Sequence, residues 1–127
     1  MPISTPTIGI VEDDAGFNRA LERLLQASGF RTEAFHSAED FLASAWSRSY
    51  ECLILDIHLP GISGFELFDR LSASGSCPPV IFITAEEDET VREEAYRISG
   101  NLCMRKPLAG TVLLAAVHAQ LGHNGST

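Results

Sequence analysis

Short apolar runs without polar interruption constrain the fold of this chain more than any other feature of its sequence. Four such runs are present, at 8–11, 52–55, 80–83 and, more weakly, 102–104. Uninterrupted apolar strands, as opposed to alternating ones, are typical of a parallel sheet that is covered on both faces. A fifth run at 31–35 alternates more and is predicted to be an edge strand.

Segments of helical length separate the predicted strands. Each carries apolar residues at helical spacing, which predicts a stripe that packs on the sheet. Ser28 and Gly29 are expected to end the first helix, and the Ser37 hydroxyl is placed to cap the second. Five helices are predicted, around 17–27, 37–45, 64–74, 88–99 and 109–121.

Strict alternation of strand and helix predicts an α/β fold. Right-handed crossovers leave few topologies open. At this length we expect a flavodoxin-like parallel sheet of five strands in the order 2-1-3-4-5, with five flanking helices. The 127 residues suit one domain, predicted over 1–122, with a flexible tail at 123–127.

Charge and composition exclude several classes of function. A formal net charge of −8 argues against direct binding of nucleic acid or of an anionic membrane. The three cysteines lack paired spacing, which favours reduced thiols over a disulfide framework or a zinc site. No secretory signal and no apolar run of membrane-spanning length is visible, so we expect a cytoplasmic protein.

Acidic residues follow two of the predicted strands. Glu12 and Asp13 come directly after the first strand, and Asp56 ends the third. In a sheet of this order, ligands bind at the carboxyl ends of these two strands. Three converging carboxylates repel one another unless a cation neutralises them, and oxygen-only ligands favour Mg²⁺.

A hydroxyl and an amine are predicted at the same edge of the sheet. Thr84 ends the fourth strand, and Lys106 follows the fifth, directly before Pro107. Carboxylates, a metal ion, a hydroxyl and a lysine together suit phosphoryl transfer, which depends on positioning and charge neutralisation. We predict that Asp56 is the nucleophile and forms an aspartyl phosphate.

Each of these residues has a simpler interpretation when it is taken alone. Glu12 and Asp13 would form a solvated turn, with Asp14 capping the first helix. Lys106 would be a surface lysine, and Thr84 would merely end a strand. Their coincidence at one sheet edge favours a functional site.

Four segments resemble the marker segments of bacterial two-component receiver domains. They occur in the family's order, and the resemblance covers nearly the whole chain. The segments are 11–14 (VEDD), 56–64 (DIHLPGISG), 84–85 (TA) and 106–107 (KP).

The resemblance implies a set of magnesium ligands. Asp13 would bind Mg²⁺ directly, and Glu12 would do so mainly through water. Asp56 would be both a ligand and the phosphoacceptor. The main-chain carbonyl of His58 would be a further ligand, with the His58 side chain at the rim of the site.

The resemblance also implies how the phosphoryl group is received and read. Lys106 would pair with phosphoryl oxygens, and Thr84 would move inward to hydrogen-bond one of them. The donor would be a histidine kinase or a phosphotransfer protein, and the domain would not turn over a substrate as an enzyme does. Output, and a possible homodimer, would use the face formed by the fourth helix, the fifth strand and the fifth helix, here named the output face.

The segment 35–42 (FHSAEDFL) further resembles receivers that are attached to a helix-turn-helix domain of the LuxR type. This resemblance suggests a role in transcription regulation. No DNA-binding segment is expected after Gly122, so this chain would not contact DNA itself.

Two departures from the family pattern keep alternatives open. Cys103 stands three residues before the lysine, where the family usually has Tyr or Phe, and the approach at 100–102 is one residue shorter. A pseudo-receiver that binds partners without phosphorylation is therefore the alternative function. A phosphatase resembling the haloacid dehalogenases would need a second aspartate two residues after the nucleophile, where this chain has His58.

Overall fold

The computed structural model describes residues 6–44, 50–75, 77–85, 93–94, 97, 103–106 and 109–125. Its strands are β1 (Thr7–Val11), β2 (Arg31–Phe35), β3 (Cys52–Asp56), β4 (Val80–Thr84) and β5 (Cys103–Arg105). The helices whose bounds are described are α1 (Ala15–Ala27), α2 (Ala38–Ser44), α3 (Gly64–Ser74) and α4 (Gly110–Gly125), which is the fifth predicted helix.

The five strands form one parallel sheet in the order β2-β1-β3-β4-β5. The predicted flavodoxin-like topology is confirmed. β1 and β3 are neighbours at the switch point of the sheet, with Val11 opposite Leu55. Asp56 lies opposite Ile83 on β4, and Thr84 lies opposite Arg105 on β5.

The helices and the last strand differ in detail from the prediction. Most of the fourth predicted helix, 88–99, lies outside the described residues, although Glu93, Glu94 and Arg97 are helical. β5 is described from Cys103, since Leu102 also lies outside that set. α4 continues to Gly125, four residues beyond the predicted end of the helix at 121. A glycine inside a helix costs only about 1 kcal/mol relative to alanine, which is too little to end it.

Alternate residues of the central strands face opposite sides of the sheet. On one side Leu53, Leu55 and Phe82 join a core cluster, and on the other Ile54 and Ile81 join a second. Because both sides are covered, the apolar runs are continuous, and polar residues of β3 and β4 occur only at their carboxyl ends, at Asp56 and Thr84.

Among the helices whose bounds the structure describes, two cover each side of the sheet. The first cluster receives buried side chains from α2 and α3, namely Phe41, Leu67 and Leu71. The second receives them from α1 and α4, namely Leu21, Leu25, Leu113 and Val117. In the part of the chain that the structure describes, no helix combines the length and apolar character needed to cross a bilayer.

Polar side chains fix where the helices begin. The carboxylate of Asp14 accepts the backbone N–H of Phe17 at 3.0 Å, which caps α1. The Ser37 hydroxyl accepts the N–H of Asp40 at 3.0 Å, as predicted. α3 starts with a reciprocal capping box, in which Ser63 and Glu66 each accept the other's backbone N–H.

The two-sided core predicts that neighbouring residues of β3 contribute independently to stability. Leu53→Ala and Ile54→Ala are each expected to cost about 2–5 kcal/mol, because each removes a fully buried side chain from a different cluster. Urea unfolding measures both values. Arg31→Ala, at an exposed strand position, serves as the control and should stay within about 0.5 kcal/mol. A large loss in only one of the two central variants would contradict a core on both faces.

Candidate functional site

The carboxyl ends of four neighbouring strands carry the residues that the sequence singled out. Glu12 follows β1 directly, Asp56 is the last residue of β3, and Thr84 is the last residue of β4. Lys106 follows β5, and its backbone N–H donates to the Thr84 carbonyl at 2.8 Å. Parallel strands end at the same edge of a sheet, so this edge is where a ligand would bind.

Three carboxylates meet at this edge. Glu12, Asp13 and Asp56 each place one carboxylate oxygen within 4.8 Å of the other two. Glu12 is 0% exposed and Asp56 is 3% exposed, whereas Asp13 is open to solvent. The cluster therefore has a buried floor and an accessible side.

The ammonium group of Lys106 lies against the two buried acids. Its Nζ is 2.6 Å from Glu12 Oε1 and 3.5 Å from Asp56 Oδ2. The Lys106 side chain is only 18% exposed. A buried pair of like charges is thus partly neutralised by one cation that the chain itself supplies.

Burial and charge shift the pKa values of Glu12 and Lys106. Burial raises the pKa of Glu12 from 4.5 to about 7, and the Asp56 charge adds to that effect. Hydrogen bonds from Lys106 and from the backbone N–H of Asp14 oppose it. For Lys106, burial alone would lower the pKa, but the hydrogen bond and charge of Glu12 and the charge of Asp56 outweigh burial and raise it.

Hydrogen bonds hold the backbone that follows Asp56 against the Asp56 carboxylate and the start of α3. The N–H of His58 donates to Asp56 Oδ1 at 3.1 Å, and the N–H of Gly64 donates to the Ile57 carbonyl at 2.9 Å. A Cβ on Gly64 would lie 2.3 Å from the Asp56 carbonyl oxygen, so no side chain fits there. The first turn of α3 consequently packs directly against the residue that ends β3.

A contact from α2 restrains the same loop further along. Oε2 of Glu39 accepts the N–H of Ile62 at 3.0 Å, and this hydrogen bond is the main reason that the pKa of Glu39 is lowered. Gly61, just before it, has a φ of 76°, which is a conformation that favours glycine. Helix α2 is thereby connected to the loop that follows Asp56.

Two residues at the site were missed in the sequence interpretation. Asn18 is buried, and its Nδ2 donates to the Glu12 carbonyl at 2.9 Å and to the Phe35 carbonyl at 3.0 Å. Phe17 places its ring 4.8 Å from Lys106 Nζ. The available signal was that Asn18 precedes Leu21 by three positions and so lies on the buried stripe of α1, where a polar residue needs a partner.

The structure therefore places the predicted residues as follows. Glu12, Asp13, Asp56 and Lys106 are together, and Thr84 is fully buried at the adjacent strand end. The His58 side chain is exposed, and its backbone N–H contacts Asp56; a metal contact through its carbonyl stays a prediction. Cys103 is partly buried against the first core cluster, where the family usually has an aromatic residue.

Glu12 is expected to make the stability of the metal-free protein depend on pH. An acid whose pKa is higher in the folded than in the unfolded state binds protons on folding, so stability falls as pH rises between the two values. Between about pH 4.5 and 7, the wild-type free energy of unfolding should fall relative to that of Glu12→Gln. Urea unfolding in a chelating buffer measures this difference.

Glu39 gives a comparison of opposite sign, because its pKa is lowered in the folded state. Relative to Glu39→Gln, the wild type should gain stability as pH rises through the acidic range. Parallel pH profiles for the wild type and Glu12→Gln would contradict the raised pKa of Glu12.

The family model and the curated relatives that match this chain point to the same family. Residues 8–118 match the family model for the response regulator receiver domain. The chain is 33% identical over 124 residues to the transcriptional regulatory protein FixJ of Azorhizobium caulinodans, which covers 98% of this chain and 58% of that protein. The chain spans about half the length of the curated relatives that it matches.

Solved structures agree with this result. A response regulator receiver protein from Burkholderia phymatum is 36% identical, with a TM-score of 0.79 and coverage of 93% of this chain and 96% of that one. The receiver domain of Francisella response regulator 1452 shares the fold at 18% identity, with a TM-score of 0.88 and coverage of 94% and 99%. The four marker segments, the sheet order and these matches place the chain in the response regulator receiver domain family of two-component signal transduction.

Proposed function

We propose that Asp56 is the phosphoacceptor of this receiver domain and that a histidine kinase or a phosphotransfer protein is the donor. One observation carries the proposal: Asp56 clusters with two further carboxylates and lies 3.5 Å from the ammonium nitrogen of Lys106. A nucleophile, oxygen ligands for a cation and a positioned positive charge are the parts that phosphoryl transfer requires.

The donor set fits Mg²⁺. Glu12, Asp13 and Asp56 offer carboxylate oxygens, and the main-chain carbonyl of His58 would add a fourth oxygen of the kind that Mg²⁺ prefers. When bound, Mg²⁺ would neutralise the carboxylates and the charge of the phosphoryl group. The raised pKa of Glu12 supports this fit, because a buried carboxylate needs a neighbouring cation to remain charged near neutral pH.

Asp56, Lys106 and Thr84 would each have a separate role in the reaction. A carboxylate oxygen of Asp56 would form a bond to phosphorus while the P–N bond of the donor's phosphohistidine breaks, and the imidazole leaves. The N–H of His58 occupies Oδ1, whereas Oδ2 is the oxygen nearer to Lys106. Lys106 would then turn from Glu12 to the new phosphoryl oxygens, and the Thr84 hydroxyl would donate to one of them.

The response would start as a redistribution of charge. A phosphoryl group adds roughly −1.5 to −2 charge, which would bias the domain toward a second conformation. Lys106 and Thr84 are joined through their backbones, so their movement would reach β4 and β5 together. The output face is then the surface that reads the change.

The output face is also our proposed surface for a homodimer. On α4, which is the fifth predicted helix, Val112 is 52% exposed. Such exposure is unusual for a large apolar side chain among the described residues. Cys103 on β5 takes the place of the usual aromatic residue, so coupling to the output face would not depend on an aromatic rotamer here.

The relative from Azorhizobium caulinodans is a transcriptional regulatory protein, and we extend that role to this chain as a proposal. The acidic receiver would act in the cytoplasm and would leave contact with DNA to another polypeptide segment. It would not act as an enzyme on an external substrate, since the phosphoryl group ends on its own aspartate.

Labelling of Asp56 tests the proposal directly. Incubation with acetyl phosphate and Mg²⁺ should add the mass of one phosphoryl group, as measured by intact mass spectrometry, and Asp56→Asn should abolish the addition. Asp69→Asn, at an exposed position on α3, is the matched control and should label normally. Wild-type labelling of Asp56→Asn would refute the assignment, and an unlabelled, folded wild type would favour the pseudo-receiver.

Magnesium affinity tests the roles of the surrounding charges. Glu12→Gln and Asp13→Asn should each weaken Mg²⁺ binding by about tenfold or more, because each removes a negative ligand. Lys106→Ala should preserve or increase that affinity, since it removes a cation that competes for Glu12 and Asp56. Wild-type affinity should also fall as pH drops below about 7, where Glu12 becomes protonated.

Isothermal titration calorimetry measures these affinities. Loss of Mg²⁺ binding in Lys106→Ala with retention in Asp13→Asn would invert the assigned roles and contradict them.

A further inference from the structure

An aromatic ring lies beside the Lys106 ammonium group. Nζ is 4.8 Å from the centroid of the Phe17 ring, while it is also 2.6 Å from Glu12 Oε1 and 3.5 Å from Asp56 Oδ2. A cation within about 6 Å of a ring centroid is attracted by the negative face of the ring. Two carboxylates and one aromatic ring therefore hold the same ammonium group.

Helix α1 holds Phe17 in place independently of the acids. Its backbone N–H donates to the capping carboxylate of Asp14 at 3.0 Å, in the first turn of the helix. Its side chain is half-buried and packs against the second core cluster. The ring is consequently a stationary partner for the flexible lysine.

A bound cation would affect the three partners of Lys106 differently. A divalent cation at the acidic cluster would compete with Lys106 for Glu12 and Asp56, because both cations seek the same oxygens. The Phe17 ring binds neither a hard cation of that kind nor a phosphoryl group, so it stays available. Without the ring, the long side chain of Lys106 would lose its restraint when the carboxylates change partners.

We propose that Phe17 is a positioning residue that holds the Lys106 ammonium group at the site while its carboxylate partners are replaced and a phosphoryl group arrives. This inference rests on the proposed function. It assigns the role to the ring electrons of Phe17 and not to its bulk. Leucine fills a comparable apolar space without an aromatic face, whereas tryptophan keeps the face and strengthens the attraction.

Binding of beryllofluoride, a phosphoryl mimic, in the presence of Mg²⁺ tests this role in the full chain. Phe17→Leu is expected to bind beryllofluoride roughly 3- to 10-fold more weakly, and Phe17→Trp should restore binding to within about twofold of wild type. Phe68→Leu removes another half-buried ring, on the opposite side of the sheet, and should have no effect. In a Lys106→Ala background, Phe17→Leu should cause no further loss.

Two further readouts separate positioning from a general structural effect. The Lys106 side-chain methylene protons next to Nζ should show an upfield ring-current shift by NMR in the wild type and in Phe17→Trp, and the shift should disappear in Phe17→Leu. Affinity for Mg²⁺ alone should be the same in all variants at position 17.

Unchanged beryllofluoride binding in Phe17→Leu, or an equal loss in the Lys106→Ala background, would overturn the role of the ring while the proposed function stands. A folded wild type that binds no beryllofluoride and takes no phosphoryl group would instead overturn the proposed function. The behaviour of the wild type thus distinguishes the two failures.

Discussion

Two buried carboxylates side by side are the constraint on which this site depends. Glu12 and Asp56 end neighbouring strands, and both are almost inaccessible to water. Burial disfavours the charged form of a carboxyl group, which is the main reason that the pKa of Glu12 rises, and the Asp56 charge adds to that effect. Burial of the apolar strands behind them stabilises the fold. This stabilisation offsets the free-energy cost of burying two carboxylates.

Residues outside the cluster fix its geometry. Asn18 holds the backbone at Glu12 to the end of β2, and Glu39 holds the loop after Asp56 to α2. Gly64 allows α3 to approach the Asp56 carbonyl closely. The backbone at Glu12 and the loop after Asp56 are therefore restrained by neighbouring helices, which is the kind of preorganisation that the proposed phosphoryl transfer would need.

The parts of the molecule that the sequence predicted are those that depend on periodicity and on position along a strand. Continuous apolar runs indicated two-sided strands, and the order of strands then brought Glu12, Asp56, Thr84 and Lys106 to one edge. The sequence did not predict which residues the side chains contact across elements. The stripe on α1 identified Phe17 as apolar but could not reveal that its ring faces a lysine 89 positions later, because that contact depends on how α1 and β5 sit on the sheet.

The same limit applies to side chains that bind backbone. From the sequence, Glu39 is an ordinary acid in the first turn of a helix. Its hydrogen bond with the N–H of Ile62 depends on the path of the loop, which the sequence does not show. Helix ends were predicted least well, as the extension of α4 to Gly125 illustrates, since a single glycine is a weak terminator.

The negative and positive groups of the site are carried by unequal parts of the sheet. Glu12 and Asp56 lie at the ends of interior strands that have a hydrogen-bonded neighbour on each side, whereas Lys106 follows β5, which lies at the edge of the described sheet and pairs with β4. If phosphorylation changes the attraction between these groups, as proposed, we expect Lys106 to move more than Glu12 and Asp56. Under the proposed function, a change of charge at the acidic cluster would therefore move residues at the edge of the sheet, where a partner molecule could bind.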